Sequence, residues 1–272
     1  MKKTNWYGVG VGVLAFVVFF IILPWSKSRS PSSVKTPKAV VEGKKGVPTG
    51  EQWNELTPIN IKIPENIGGE AKLTRNIYFI MDGSGSMNER TTSDCGGDQE
   101  FTDKITGARW AIKKFLENVP EDVNIGLYVF DFHGRREVVP LGASNREAFI
   151  SAVDDIEASG TTPLAEAIRF GTDQLVQQYK KQLGYGEFRL VVVTDGIAEG
   201  IPEAAIYAAR RGIPIYAIGL CVEVRHPLRH FSVSYRAADS FEDLKKGLEE
   251  TLAELPSFDV TEFQEQKTGE NQ

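Results

Sequence analysis

Between residues 76 and 255 the apolar positions change period repeatedly. A continuous apolar run at 77–81 and largely apolar runs at 123–130, 188–195 (ending on Asp195) and 213–220 have the length and character of strands buried on both faces. Between them, apolar residues recur three and four apart. In 104–119, Ile105, Ala108, Ile112, Phe115, Leu116 and Val119 share one helical face. Further helices are predicted over 146–158, 164–183, 203–211 (stopped by Gly212) and 241–255 (stopped before Pro256). A short strand at 137–141 follows the second run through His133-Gly134, a connection tight enough to make it antiparallel. A last strand is read at 231–235. Residues 59–63, which alternate isoleucine with polar residues, predict one more short edge strand. Strands alternating with helices of roughly ten residues or more imply an α/β domain. Its mostly parallel sheet should be covered on both faces, with one antiparallel edge strand.

Ahead of this domain the period disappears. Residues 6–25, WYGVGVGVLAFVVFFIILPW, hold no charge over 20 positions, about the length a helix needs to cross a ~30 Å hydrocarbon core. Trp6, Tyr7 and Trp25 mark its ends, where aromatic rings favour the headgroup zone. The stretch is long for a signal-peptide core and no small-residue cleavage site follows it. An uncleaved anchor is therefore expected rather than a removed leader. Ser, Pro, Lys and Gly dominate 26–50, which reads as a polar tether. The expected organisation is a transmembrane anchor over 1–25, a linker over 26–73, the folded domain over 74–256 and a polar tail over 257–272.

Charge divides the same way. Residues 1–45 carry eight Lys or Arg against one acid, and the rest of the chain carries 23 against 36. So acidic a body argues against nucleic acid as a partner, because phosphate contacts need clustered Lys and Arg. Basic residues flank both ends of the apolar segment, and counting them alone leans towards a cytoplasmic body. A short basic N-tail followed by an apolar segment and a large acidic domain is instead the layout of a signal anchor. That layout places the domain outside the cytoplasm.

Ligands of open α/β sheets collect at the carboxyl ends of the strands. Two predicted strands deliver an acid followed by glycine to that edge: IMDG at Asp82 and VVTDG at Asp195. The first continues as GSGS, so Ser84 and Ser86 follow Asp82 at alternate positions, with glycines that let the loop turn sharply. SGTTPL at 159–164 adds a pair of threonines just ahead of Pro163, a favoured first helical residue. Asp82, Ser84, Ser86, a threonine and Asp195 are thus expected to meet. Carboxylate and hydroxyl oxygens are the donors of a hard cation such as Mg2+ or Mn2+. With two carboxylates only, such an ion keeps positive charge and an open position for an acidic group from a partner.

DGSGSM, SGTTPL and VVVTDG, in this order, resemble the metal-ion-dependent adhesion site of a von Willebrand factor A domain. The likeness runs from about Thr74 to Leu255, and the closing YRAADSFEDLKKGLEETLAEL is similar to bacterial members. It implies a Rossmann-like doubly wound sheet. It also implies that Ser84, Ser86 and a threonine coordinate Mg2+ or Mn2+, with Asp82 and Asp195 binding directly or through water. Aligning the Pro-Leu that follows selects Thr162, with Thr161 as runner-up. The family implies protein partners that supply Asp or Glu to the metal. One departure is the insertion MNERTTSDCGGDQEFTD at 87–103, expected to lie over the metal face.

That insertion carries Cys95, and Cys221 follows the strand predicted at 213–220. Both belong to the carboxyl edge of the sheet, so either a disulfide clamps the loop or two thiols remain, one packed and one exposed. Enzyme signatures are missing. There is no G-x-S-x-G nucleophile elbow. The phosphate loop's Gly-Lys-Ser/Thr is absent, and Ser84 occupies the place where an aspartate-nucleophile phosphatase needs a second acid. His226 and His230 straddle Pro227, which spoils a helical zinc pair, and they read as solvated loop residues. The chain is therefore expected to be a membrane-tethered, cation-dependent protein-binding module rather than an enzyme. A scaffold subunit whose metal is mainly structural is the alternative, and a metal-dependent hydrolase a remoter one.

Overall fold

Strand β1, Arg75–Asp82, is apolar at consecutive positions because both of its faces are covered. Ile77, Phe79 and Met81 enter one core layer, while Tyr78 and Ile80 enter the other, as the two-residue repeat of a strand requires. The computed structural model describes residues 57–65, 68–92, 95, 101–222 and 226–252. The anchor predicted over 1–25, most of the linker and the tail lie outside the described residues. Among the described residues no helix is long and apolar enough to cross a membrane.

Around β1 the sheet takes the order β3-β2-β1-β4-β5-β6. The strands are β2 (Asn124–Asp131), β3 (Gly134–Gly142), β4 (Glu187–Thr194), β5 (Ile215–Leu220) and β6 (Ser234–Ala238). All pairings are parallel except β2 with β3, so the antiparallel edge strand reached through His133-Gly134 is present. Helices α1 (Lys104–Leu116), α2 (Arg146–Asp154) and α5 (Phe241–Glu250) cover one face, and α3 (Leu164–Lys181) and α4 (Ile201–Ala209) the other. Phe79 anchors the first layer, edge-on to Phe115 at 5.7 Å and to Phe149 at 5.2 Å. The winding reverses between β1 and β4, which opens the crevice where ligands of such sheets bind.

Two predicted elements are placed differently. Residues 59–63 form no strand. The Ile59 amide donates to the Arg210 carbonyl at 2.7 Å, and Arg210 Nε donates to the Thr57 carbonyl. The segment therefore lies against the end of α4 instead of extending the sheet. The last strand is β6, later than 231–235, because Pro227–His230 winds into a 3-10 turn and Phe231 is spent as core beneath it. β6 itself is half-exposed, so its apolar signal is weak. Helices predicted to continue to 119, 158, 183 and 255 stop earlier, at Leu116, Asp154, Lys181 and Glu250.

Candidate functional site

Two loops are laced together at the carboxyl end of β1. The Gly83 amide donates to the Phe130 carbonyl (2.9 Å), Ser159 to Gly83 (2.8 Å) and Gly85 to Gly160 (3.1 Å). A side chain at 83 would collide with Ile156, Asp131 and the Phe130 carbonyl, all within 2.9 Å of its Cβ. Only glycine lets the loops close so tightly. This lacing carries the start of α3 to the site. Thr162 is half-buried, and a Cβ placed on Gly196 would lie 3.2 Å from its Oγ1 and 3.7 Å from Asp82 Oδ2. Thr161 is exposed.

Asp82 is fully buried. Its Oδ1 accepts the Ser84 amide at 2.8 Å and its Oδ2 the Thr194 hydroxyl at 2.5 Å. Burial pushes its carboxyl up from the ordinary range; the bonds from Ser84 and Thr194 pull the other way, and neighbouring Asp195 adds to the rise. Ser84 and Ser86 hydroxyls lie 3.1 Å apart, and Ser86 donates to Asp195 Oδ1 at 2.7 Å. Asp82, Ser84, Ser86 and Asp195 thus form one hydrogen-bonded cluster, with Thr162 beside it. Among the described residues no three His, Cys, Asp or Glu side chains converge, so the donor set is two carboxylates and hydroxyls.

A cation's suitability here can be judged from the neighbouring strand ends. β2 ends on Asp131, whose carboxylate receives Arg136 at 2.6 Å. β4 leads to Asp195, whose Oδ2 receives Lys104 Nζ at 2.9 Å. β1 lies between them, and Asp82 has only neutral donors among the described residues. A buried carboxylate without a countercharge is costly, and the adjacent hydroxyl oxygens are ligands a hard cation accepts. The residues fit such an ion.

Two contributors escaped the sequence reading. Lys104 bridges Asp195 and the insertion's Glu89 (2.7 Å). Burial of its ammonium is outweighed by these bonds, which hold its pKa above the usual lysine value. Its signal was its place: it is the first residue of α1, where the helix dipole disfavours a cation. His226, expected to be solvated, is fully buried. Its ring stacks on Tyr235 at 5.8 Å, Nδ1 accepts the Leu228 amide, and Nε2 therefore donates to the Gly196 carbonyl at 2.9 Å. Burial lowers its pKa. His230 is exposed, as expected.

The insertion is pinned at its neck and at Cys95. Thr91 and Lys104 amides donate to Thr102 and Glu89 carbonyls, and the Asp103 carboxylate caps α1 through the Thr106 amide. A disulfide joins Cys95 to Cys221, 126 residues apart, at the end of β5.

The von Willebrand factor type A domain model matches residues 76–268, and the chain belongs to that family. Over 140 residues it is 26% identical to the uncharacterized protein YwmC of Bacillus subtilis (strain 168), covering 47% of this chain and 56% of that one. The chain spans about half the length of the curated relatives it matches. Among solved structures, the pilus adhesin SpaC from Lactobacillus rhamnosus GG superposes with a TM-score of 0.52 at 16% identity, over 67% of this chain and 30% of that one. Proximal thread matrix protein 1 from the mussel byssus, solved with a zinc-occupied MIDAS motif, gives 0.50 at 15% identity over 67% and 48%. At these identities the likeness is one of fold.

Proposed function

We propose that this protein is a membrane-tethered, divalent-cation-dependent binding module. Asp82, Ser84, Ser86, Thr162 and Asp195 hold Mg2+ or Mn2+, and a protein partner completes the ion's shell with an Asp or Glu side chain. The observation that carries this reading is the middle position of Asp82: buried, hydroxyl-lined and, among the described residues, without the internal cation that each flanking aspartate has. Two large apolar side chains, Phe132 and Ile197, are 66% and 62% exposed on the loops beyond β2 and β4. They bracket the same edge and offer a protein partner apolar contact beside the ion. The zinc-occupied motif of the byssus protein and the adhesin role in the name of SpaC agree with this use of the fold. Among the described residues no histidine or cysteine side chain joins the cluster, and binding rather than catalysis is the activity proposed. The uncharged stretch 6–25 supplies the anchor, with the domain outside the cytoplasm.

Calorimetric titration of Mg2+ and Mn2+ into the full-length chain, kept in mild detergent, tests the reading against Asp82→Ala. Saturable uptake by the wild type, weakened at least about a hundredfold in the variant, is expected. Equal heats in both proteins would refute it.

A further inference from the structure

We propose that Lys104 is a built-in rival of the divalent ion, and that the insertion sets how strongly it competes through Glu89. The inference rests on the metal reading above and concerns the regulation of that site.

Lys104 opens α1 with its ammonium turned back to the carboxyl edge of the sheet. Its side chain is 11% exposed and that of Asp195 is completely buried, whereas that of Glu89 is 65% exposed. The ammonium thus lies between a buried carboxylate of the cluster and a solvated one on the insertion. Asp195 presents one oxygen to Ser86 and the other to Lys104. A divalent ion that draws on Asp195 must do so beside a positive charge already paired to it. The like charges repel most where water is excluded, so Lys104 lowers the affinity of the site for any cation. Glu89 opposes that effect by taking a share of the ammonium. Its position is held on both sides: its amide donates to the Ser86 carbonyl, and its own carbonyl accepts the Lys104 amide at 3.1 Å. Glu89 is therefore fixed by the same strand of chain that carries Ser86. A partner that touches the insertion and draws Glu89 away would return the whole charge of Lys104 to Asp195 and loosen the ion. One that pulls the ammonium outward would tighten it.

The two residues consequently have opposite signs. Lys104→Met, which keeps the length of the side chain, should bind Mg2+ and Mn2+ about tenfold or more tightly than the wild type by calorimetry on the full-length chain. Glu89→Gln should bind them about threefold to tenfold more weakly, and in the Lys104→Met background the same change should have little effect. Lys104→Arg, which keeps the charge, should stay near the wild type. Lys104→Met binding no tighter than the wild type, or Lys104→Arg binding as tightly as Lys104→Met, would overturn the inference while leaving the metal reading intact. If no variant binds an ion, and Asp82→Ala matches the wild type, both fail together. Glu89→Gln binding the ions as tightly as the wild type would also overturn the inference, and that arm leaves Lys104 and its packing in place.

Discussion

The ends of β2 and β1 pose the same electrostatic problem and answer it differently. Both strands finish on a buried aspartate in register with the other's last residues, Asp82 being paired with Phe130. Asp131 is neutralised at home by Arg136, one strand away on the β3 hairpin, and also accepts the His133 amide. Asp82 has two neutral donors and the nearby charge of Asp195, which makes matters worse. One aspartate is finished structure, holding its hairpin in place. The other is left electrostatically incomplete, at the crevice where the winding of the sheet reverses. An expensive group kept where, among the described residues, it gains no internal countercharge points to a role outside folding.

Neutralising each acid should separate the two. In chelator, Asp82→Asn should raise stability by about 1–3 kcal/mol, because its amide oxygen still accepts the Ser84 amide and its NH2 can donate to a reoriented Thr194 hydroxyl, with no buried charge. It should also erase any rise in Tm on adding Mg2+. Arg136→Met should do the reverse, lowering stability by about 1–2 kcal/mol by stranding Asp131, with the partial exposure of the arginine tempering the loss. Denaturant melts of the two variants check this; the same sign in both would end the distinction.

A pH series sharpens it further. A carboxyl whose pKa is raised by folding, as for Asp82, contributes stability that is intact at acid pH and lost as pH rises through the folded value. The metal-free protein should therefore lose stability upward from the ordinary aspartate value of 3.8, and Asp82→Asn should flatten that slope. His226 acts at the other end. Its pKa is lowered, so its contribution is complete above 6.5 and fades as pH falls. His226→Gln should remove this second slope.

The smallest effect expected is on the loop that follows Asp195. His226→Phe leaves the Gly196 carbonyl with only the longer contact from the Thr194 hydroxyl at 3.3 Å and should cost about 1 kcal/mol, with a modest loss of divalent affinity as Asp195 loses its backing. Unchanged melting and unchanged titration would make the His226–Gly196 bond incidental.

How much of this was legible beforehand follows from burial. Strands β1 and β4 are enclosed over almost their whole length, so the runs Ile77–Met81 and Leu190–Val193 are unbroken and the polar residues that follow them conspicuous. DGSGSM and TDG could be read as convergent because the parallel sheet leaves the chain few places to put them. The half-exposed β6 has no such contrast, and Pro227 and Phe231 in front of it drew the predicted strand too early. Ile59, Ile61 and Ile63 alternate as an edge strand would, but their backbone is engaged by the end of α4. Lys104 and His226 are a different case. Their roles depend on partners 91 and 30 residues away, Asp195 and Gly196, and no local period reports a contact of that kind. The helix-start lysine was at least an anomaly; the histidine gave no sign beyond its place in a basic loop.

The direction of β1 has a mechanical consequence. The chain enters the strand at Arg75, at the edge of the sheet opposite the cluster, and reaches Asp82, Ser84 and Ser86 in one pass of 8 strand residues. A pull between the preceding chain and something gripped at Asp82, Ser84 or Ser86 runs along that single backbone. β2 and β4 flank it with parallel ladders on both sides, so any slippage must shear two rows of hydrogen bonds at once instead of peeling one row bond by bond. A domain threaded in this way could be tugged hard from its two ends without first being unpicked from an edge.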